Sequence, residues 1–264
     1  MVAISIMTLI VLVLYGVFDQ VQKALRGNAA QVDVLEGGRA AMELMTRELE
    51  QARALNLPGQ TNLYVGLTAK TNVQELLETD VYRTNVLQEV FFVSQFNKQW
   101  TGIGYRILAS SPFTGKPDIF AEGVGTLTRY STNLHQSDLI RGTNLLAPVM
   151  DRQTASLARY QQVTDGVVHF RIRAYDRLGQ LMTYRTNNYS GVIMFNDRFS
   201  GETGYTFFTN GLPAYLELEM GVLEPQIVER WRGIPNPVVA SNFLAKQTGK
   251  VHLFQQRIPI RTAQ

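Results

Sequence analysis

The sequence contains no cysteine among its 264 residues and only three histidines. Thiol catalysis, disulfide frameworks, thiolate zinc sites and iron–sulfur clusters are therefore excluded. The redox environment stays open, because a chain without cysteine is compatible with either side of a membrane. The histidines, His135, His169 and His252, are far apart and form no His-x-x-x-His or His-Glu pair. We therefore expect no zinc site.

Charge is scarce as well, since Asp, Glu, Lys and Arg make up 18% of the chain and leave a formal net charge of +3. Cations become denser after Pro225, where only Glu229 opposes them. They lack the tight clustering and interleaved aromatic residues of a nucleic-acid-binding patch, so we expect a solvated face or a subunit contact and no nucleic acid. These cations are Arg230, Arg232, Lys246, Lys250, Arg257 and Arg261.

Catalytic motifs are absent from the sequence. No serine lies in a Gly-x-Ser-x-Gly elbow or begins a Ser-x-x-Lys motif, and no glycine pair has the rest of a phosphate-binding fingerprint. Asn196, Asp197 and Glu202 could bind calcium through oxygen atoms, but they miss the EF-hand spacing, and a plain polar turn is the simpler interpretation. We expect no catalytic residue, no cofactor and no enzymatic activity.

The first 18 residues contain no charged side chain. As a helix they would be about 27 Å long, nearly the roughly 30 Å thickness of the hydrocarbon core of a bilayer. The segment has no basic start and no small-residue cleavage site, which favours a retained membrane helix over a secretory signal. A buried core helix is the less favoured alternative, because the segment lies at the terminus and is hydrophobic on all sides. The residues expected to anchor and assemble the chain are Met1, Val2, Ala3, Ile4, Ile6, Met7, Leu9, Ile10, Val11, Leu12, Val13, Leu14, Val17 and Phe18.

Orientation in the membrane is left open by the flanking charges. The nearest cations, Lys23 and Arg26, follow the apolar segment, and the positive-inside rule taken literally would leave the rest of the protein in the cytoplasm. A chain that had lost a short basic leader upstream of Met1 would have the same sequence and the opposite topology.

Helical periodicity continues beyond the apolar segment to Leu57, with a kink or local thinning expected at Gly37-Gly38 and an end at Pro58-Gly59. A helix of this length would measure about 80 Å. Apolar residues at steps of three, four and seven form a stripe that we expect to pack on the body and on neighbouring subunits. They are Leu25, Val32, Leu35, Met42, Met45 and Leu49.

The remainder of the chain is expected to be rich in β-strands. A polar connection runs from Gln60 to Asn85 and holds a short helix around Val73–Glu78, and two long insertions cover Ser131–Asp165 and Asn187–Leu212. Residues Leu181–Tyr184 could return as a hairpin partner of the strand that ends at Tyr175. The predicted strands are Leu87–Phe96, Gly102–Leu108, Gly125–Tyr130, Val167–Tyr175, Gly191–Phe195, Ala214–Val222 and Lys250–Ile260.

Together these patterns predict an α+β fold in which a long N-terminal helix, membrane-spanning in its first half, packs on an antiparallel β-rich body. The expected organisation is a helix over residues 1–57, a connecting segment over 58–86 and a β-rich globular domain over 87–264.

Three parts of the sequence resemble the type IV pilin and pseudopilin superfamily. Met1–Ile6 resembles the segment that follows the prepilin signature, and Gly38–Ala52 is similar to the second half of the helix in J-type minor pseudopilins of type II secretion. Asp165–Asp176 and Ala214–Met220 resemble later strands of that family. The basic leader, the glycine before the cleaved bond and the signature glutamate do not occur in the chain. A start assigned at an internal methionine, or a chain trimmed before Met1, would each explain this difference.

The resemblance implies a non-enzymatic minor subunit of a secretion pseudopilus, single-pass in the inner membrane, with its β-rich domain in the periplasm. Its implied partners are other pseudopilins or pilins through the N-terminal helix, the inner-membrane secretion machinery and secreted cargo. A minor pilin of a type IV pilus is the nearest alternative. A single-span periplasmic binding or sensor domain, with a pocket framed by the two insertions, and a membrane-tethered hydrolase are the alternatives from other classes.

Overall fold

The computed structural model describes residues 2–66, 72–75, 82–96, 99–109, 123–134, 146, 160–184, 189–196 and 201–261. One long helix precedes the strands, and two short helices precede the last strand. The elements are α1 (Val2–Leu49), β1 (Leu57–Gly66), β2 (Asn72–Glu75), β3 (Tyr82–Asn85), β4 (Glu89–Phe96), β5 (Gln99–Ala109), β6 (Gly125–Leu134), β7 (Tyr160–Tyr175), β8 (Val192–Asn196), β9 (Thr203–Thr209), β10 (Tyr215–Leu223), α2 (Pro225–Arg232), α3 (Pro237–Ala245) and β11 (Val251–Pro259).

Nine of the strands form one antiparallel sheet in the order β11-β10-β7-β6-β5-β4-β1-β9-β8, and β2 pairs with β3 in a separate hairpin. The predicted α+β class is therefore confirmed, and each of the seven predicted strands lies on an observed strand. The chain at Val86–Gln88, immediately before β4, lies beside the second half of β7, where the Phe170 N–H donates to the Val86 carbonyl at 2.7 Å.

Alternation along β10 separates the two faces of the sheet. Leu216, Leu218 and Met220 point to the face that we call inner, where they are buried in the main hydrophobic cluster. Glu217 and Glu219 point to the opposite, outer face, where they pair with arginines. This period of two is the pattern expected of a strand whose faces meet different surroundings.

The second half of α1 covers the inner face. Val34, Ala41, Met42, Met45 and Leu49 belong to the same buried cluster as the inner-face residues of the strands. Their spacing of three, four and seven places them on one side of the helix. Burial of each large side chain stabilises the fold by about 1.5–3 kcal/mol, so this contact holds the helix on the sheet.

Contacts along the helix show how α1 is oriented on the body. Val34 lies beside Thr164–Gly166 of β7, where the pairing with β6 is irregular, whereas Glu50 pairs with Arg261 beyond the end of β11. We call the first end of the body proximal, because the remainder of α1 leaves the sheet there, and the other end distal. The distal end includes the turn that follows Tyr175 and the residues before β10.

The helix is not interrupted at Gly37-Gly38, where a kink or local thinning was expected, since α1 is helical throughout Val2–Leu49. Gly38 instead allows close approach of the helix to β11. A Cβ atom at this position would lie 2.2 Å from the ring of Phe254, whereas one at Gly37 would make only an ordinary contact with Thr164 at 3.8 Å. The absent side chain at Gly38 is therefore a packing requirement.

The helix ends at Leu49, eight residues before the predicted end at Leu57, and Pro58-Gly59 lies inside β1. β1 pairs with both β4 and β9, so the predicted connection over 58–86 contains a central strand of the sheet as well as the hairpin β2-β3. Gln60, Thr61 and Asn62, which are among the polar residues that suggested a connection, are buried. The Asn62 side chain accepts from the Leu55 N–H at 2.9 Å and donates to the Thr209 carbonyl at 2.8 Å.

Other local predictions also differ from the structure. The segment predicted as an insertion over Ser131–Asp165 contains the end of β6, at Leu134, and the start of β7, at Tyr160. Residues 72–75 form a strand instead of the start of a short helix, and β9 lies within the segment predicted as an insertion over Asn187–Leu212. Leu181 makes a single bridge to Tyr175 instead of a returning strand. The short helices α2 and α3 were not predicted, although Pro225 and Pro237 stand at their first turns and Asn236 caps α3.

Adjacent glycines in α1 provide a matched test of the packing at Gly38. Gly38→Ala should lower the free energy of unfolding of the full chain in detergent by about 1–3 kcal/mol, because the added methyl must displace the Phe254 ring. Gly37→Ala should leave it unchanged or raise it by about 0.5–1 kcal/mol through helix propensity. Denaturant titration followed by tryptophan fluorescence measures both, and equal effects of the two variants would contradict this assignment.

Candidate functional site

The first half of α1 extends beyond the body and is exposed on all sides. Every large apolar side chain from Ile6 to Phe18 is at least half exposed, with Met7 at 73% and Tyr15 at 74%. Met1 lies outside the described residues, and for Val2–Ser5 only the helical backbone is described. The helix is long and apolar enough to span a membrane. Exposure of a continuous apolar surface of this size in water would be strongly unfavourable, so it requires a lipid or protein partner.

The six residues of the expected packing stripe divide into two groups. Met42, Met45 and Leu49 are buried, but Leu25 is 62% exposed and Val32 is 50% exposed, and Leu35 is exposed as well. Val34 and Ala41, which were not part of the predicted stripe, are buried in the main cluster instead. Residues two positions apart in an α-helix differ by about 200° around its axis, so Val32 faces almost opposite to Val34. Leu25, Val32 and Leu35 therefore do not pack on the body as predicted. Their contact with neighbouring subunits stays a prediction.

An ion pair fixes the last turn of α1 to the middle of the sheet. Glu48 accepts from Arg129 of β6 at 2.6 and 3.0 Å and also accepts from the Tyr105 hydroxyl of β5. Burial, with the neighbouring Glu48 carboxylate, raises the pKa of Tyr105, so this hydroxyl stays protonated. This ion pair thus joins the end of α1 to β5 and β6, which are neighbouring strands in the middle of the sheet.

Alternating charges cover the outer face of β7 and β10. Glu219 pairs with Arg83 at 2.8 Å and also with Arg171, while Glu202 pairs with Arg171 at 3.1 Å. His169 is fully buried next to this network. Its Nδ1 accepts from the Val86 N–H at 3.2 Å, and its Nε2 lies 3.7 Å from Glu219.

The chemistry of His169 is that of a neutral structural side chain. Burial lowers its pKa to about 3, and the nearby guanidinium groups of Arg83, Arg171 and Arg173 act in the same direction. The histidine lines neither of the two cavities of the body that are described below. A hydrolase would need a reactive group accessible to substrate, so His169 is not a candidate catalytic base.

A cavity of about 270 Å³ opens at the distal end of the body. Its wall is formed by the turn that follows β7 and by the chain segments around β8 and β9, and most of its side chains are apolar. The Asp176 carboxylate accepts from the backbone N–H groups of Leu178 and Gln180 and from the Tyr189 hydroxyl at 3.0 Å. Asp176 lines the cavity, and these three hydrogen bonds use its carboxylate to shape the turn.

A second cavity, of about 250 Å³, lies at the proximal end where α1 leaves the sheet. Asp33 and Glu229 line it together with Asp165, which pairs with Arg232 at 2.5 Å. Within the described parts of the chain, no group of three His, Asp or Glu side chains is arranged to hold a metal ion.

The weaker candidates from the sequence have structural surroundings as well. In the proposed calcium turn, Glu202 is held by Arg171 and Arg173, Asn196 ends β8, and Asp197 lies outside the described residues, as does His135. Three of the C-terminal cations are used within the chain, because Arg232, Lys250 and Arg261 pair with Asp165, Glu224 and Glu50. Sequence reasoning missed the distal cavity, because its residues come from five separate places in the chain.

Comparison with known proteins gives no relative: no family model, no curated protein and no solved structure matches the chain.

The burial of His169 predicts a pH dependence of stability. Because its pKa is about 3 in the folded chain and near 6.5 when unfolded, the unfolded state binds the proton first and the free energy of unfolding falls as pH drops below 6.5. His169→Asn keeps an acceptor for the Val86 N–H but cannot titrate. From pH 7 to pH 5 the parent should lose roughly 1–2 kcal/mol more than His169→Asn.

Denaturant titrations at the two pH values measure this difference. All other ionisable side chains are common to the two proteins, so the comparison isolates the contribution of His169. Identical pH profiles for the parent and the variant would show that His169 is not a neutral buried group.

Proposed function

We propose that the chain is a non-enzymatic structural subunit of the pseudopilin type, anchored in a membrane by the first half of α1 and assembled with like subunits through the same helix. The finer form of the proposal is a minor subunit of a type II secretion pseudopilus. Its sequence basis is the resemblance of Gly38–Ala52 and of two strand segments to J-type minor pseudopilins.

The observation that carries the proposal is the division of α1. One half is buried on the chain's own sheet, whereas the other half is apolar, exposed and continuous with it. Such a helix can be stored in lipid and then transferred into a bundle of similar helices, because both surroundings are apolar and the transfer exposes little of it to water. No reactive group takes part in this process.

Exposure of Leu25, Val32 and Leu35 supports assembly beyond simple anchoring. These side chains lie between the apolar segment and the body, and the charged Asp19 and Lys23 precede them. A helix used only as an anchor would have no need of apolar side chains in this interval. A minor pilin of a type IV pilus would use the same features, and only the strand resemblance favours secretion.

The location follows as part of the same proposal: a single-pass protein of the inner membrane with its β-rich body on the extracytoplasmic side. Other pseudopilins, the inner-membrane secretion machinery and secreted cargo are its proposed partners. The distal cavity favours one second candidate, a single-span binding domain, because the segment Asn187–Leu212 forms part of its wall. In that case α1 would have no protein neighbours.

Replacing Val11 by Asp tests the anchor. A charge at this depth of the helix costs a few kcal/mol in a bilayer, so Val11→Asp should move the chain from the membrane to the soluble or aggregated fraction. The near-ultraviolet circular dichroism of the body should be unchanged, because Val11 lies outside it. Val11→Leu is the matched control and should fractionate like the parent. Retention of Val11→Asp in membranes after alkaline extraction would contradict the proposal that the first half of α1 is a membrane anchor.

Photocrosslinking separates assembly from anchoring. A benzophenone amino acid placed at Leu25 or Leu35 should capture the N-terminal helix of a neighbouring subunit in cells that express the assembled system. The same group at Met45, which is buried on the sheet, should give only crosslinks within the chain. Mass spectrometry identifies the captured segment. Lipid adducts alone at Leu25 and Leu35 would favour the single-span binding domain and contradict assembly through α1.

A further inference from the structure

The last strand of the chain lies at one edge of the sheet. β11 pairs with β10 along its whole length, from Val251 opposite Leu223 to Pro259 opposite Tyr215. Among the strands that the structure describes, none lies on its second side. An edge strand leaves the backbone N–H and C=O groups of every second residue without a partner in the sheet, and these groups can pair with another chain.

Two hydrogen bonds show which backbone groups of β11 face outward. The Glu224 N–H donates to the Lys250 carbonyl at 3.2 Å, and the Ile260 N–H donates to the Ala214 carbonyl at 2.9 Å. In an antiparallel pair, hydrogen-bonded positions alternate with positions that point away from the partner. Because the register between the two strands has no shift, the even-numbered residues of β11 bond to β10 and the odd-numbered ones face the free edge. The outward-facing residues are Val251, Leu253, Gln255 and Arg257.

β11 lacks the features that usually protect an edge strand. Short length, bulges, lysine and interior proline are common protections. β11 has nine residues, contains no lysine and has its proline at the last position, whereas β8 at the other edge has only five residues. Its one arginine, Arg257, lies over the rings of Tyr175 and Tyr215, 4.6 Å from each centroid, and is thus directed toward β10 and β7. The free edge is therefore open to pairing.

The outward-facing residues also present an apolar side chain. Leu253 is 51% exposed, and Gln255 and Arg257 are exposed as well. The Leu253 side chain lies on the outer face beside Gly221 of β10, where a Cβ atom would be 3.3 Å from its Cδ2. In a strand paired with β11, an apolar residue opposite Leu253 would lie on the same face and cover it.

The spacing of the outward-facing groups defines the occupant. Residues two apart on a strand are about 7 Å apart, and an extended polypeptide presents donors and acceptors at the same spacing. Antiparallel pairing of β11 from two copies is disfavoured. α1 and β11 run in the same direction, since Gly38 lies against Phe254 and Glu50 pairs with Arg261, so the two N-terminal helices would point oppositely and could not enter one membrane. This step rests on the proposed anchor.

We propose that the free edge of β11 binds an extended segment of a different polypeptide chain as an additional antiparallel β-strand, with an apolar side chain opposite Leu253. Main-chain hydrogen bonds at Leu253, Gln255 and Arg257 provide affinity, and apolar contacts at Val251 and Leu253 provide selectivity. This inference goes beyond anchoring and assembly through α1. Peptide binding in detergent requires neither, so the two proposals can fail separately.

Fluorescence anisotropy with labelled, capped peptides tests the edge on the full chain in detergent micelles. The peptide TSQSVSV places its third residue opposite Gln255 and its fifth opposite Leu253, and it should bind. Methylation of the backbone nitrogens of its third and fifth residues removes donors that face β11 and should weaken binding at least about tenfold, or about 1.4 kcal/mol. Methylation at the fourth and sixth residues leaves those donors in place and should weaken it by less than about threefold.

Proline substitutions in β11 provide matched variants. Gln255→Pro removes an N–H that faces the free edge, so it should abolish peptide binding while the chain stays folded. Gln255→Ala keeps that N–H and should bind the peptide like the parent. Gln256→Pro removes an N–H that bonds to β10 and should instead destabilise the fold. If Gln255→Pro does not fold, the two methylation patterns of the peptide still decide.

Amide hydrogen exchange locates the bound strand. In the free chain the amides of Leu253 and Gln255 should exchange faster than those of Phe254 and Gln256, and TSQSVSV should slow the first pair at least about tenfold. Absence of binding up to about 1 mM, equal effects of the two methylation patterns, or unchanged exchange at Leu253 and Gln255 would each overturn the proposal.

Sedimentation of the parent chain alone distinguishes the other possible occupant. The proposal predicts that Gln255→Pro leaves its oligomeric state unchanged. Dimers that Gln255→Pro dissociates would assign the edge to a second copy and would overturn the assignment to a different chain.

Discussion

Packing of the second half of α1 on the inner face of the sheet is the contact on which the rest of the structure depends. The inner-face residues of the strands and the stripe that includes Ala41, Met45 and Leu49 form a single buried cluster, so neither surface is stable in water without the other. Because α1 is one unbroken helix, this contact also fixes where its exposed half leaves the body. The exposed apolar half of α1 is thus held in place by the same interactions that stabilise the fold.

Several features of the fold were accessible from the sequence because their pattern was regular. Uniform apolarity marked the first half of α1, and period-two alternation marked β7 and β10. β1 was missed because Gln60, Thr61 and Asn62 are polar and yet buried, and hydrogen bonds such as those of Asn62 compensate for their burial only in the folded chain. Likewise, β9 was not predicted, because the polar residues around Gly201 suggested a turn.

The surface of α1 that we propose for assembly was only partly predictable from the sequence. Periodicity showed that α1 has an apolar stripe. Around residues 32–41, however, two stripes at different angles around the helix axis fit the sequence, one through Val32 and Leu35 and the other through Val34 and Ala41. Gly38 decides between them, since only the absence of its side chain allows close contact with Phe254. A glycine usually suggests weakness in a helix, and its role in packing becomes visible only when the opposing ring is known. The distal cavity required the tertiary structure altogether.

The absence of native cysteine allows the most direct measurement of how α1 is used. Single cysteines placed along α1 from Leu9 to Leu49 in membrane-embedded protein can be labelled with a water-soluble maleimide. The account predicts protection by lipid at residues 9–17, protection by neighbours at Leu25, Val32 and Leu35, and burial at Met42, Met45 and Leu49. After solubilisation in detergent, only the second group should become reactive. Ready labelling at residues 9–17 in intact membranes would contradict it.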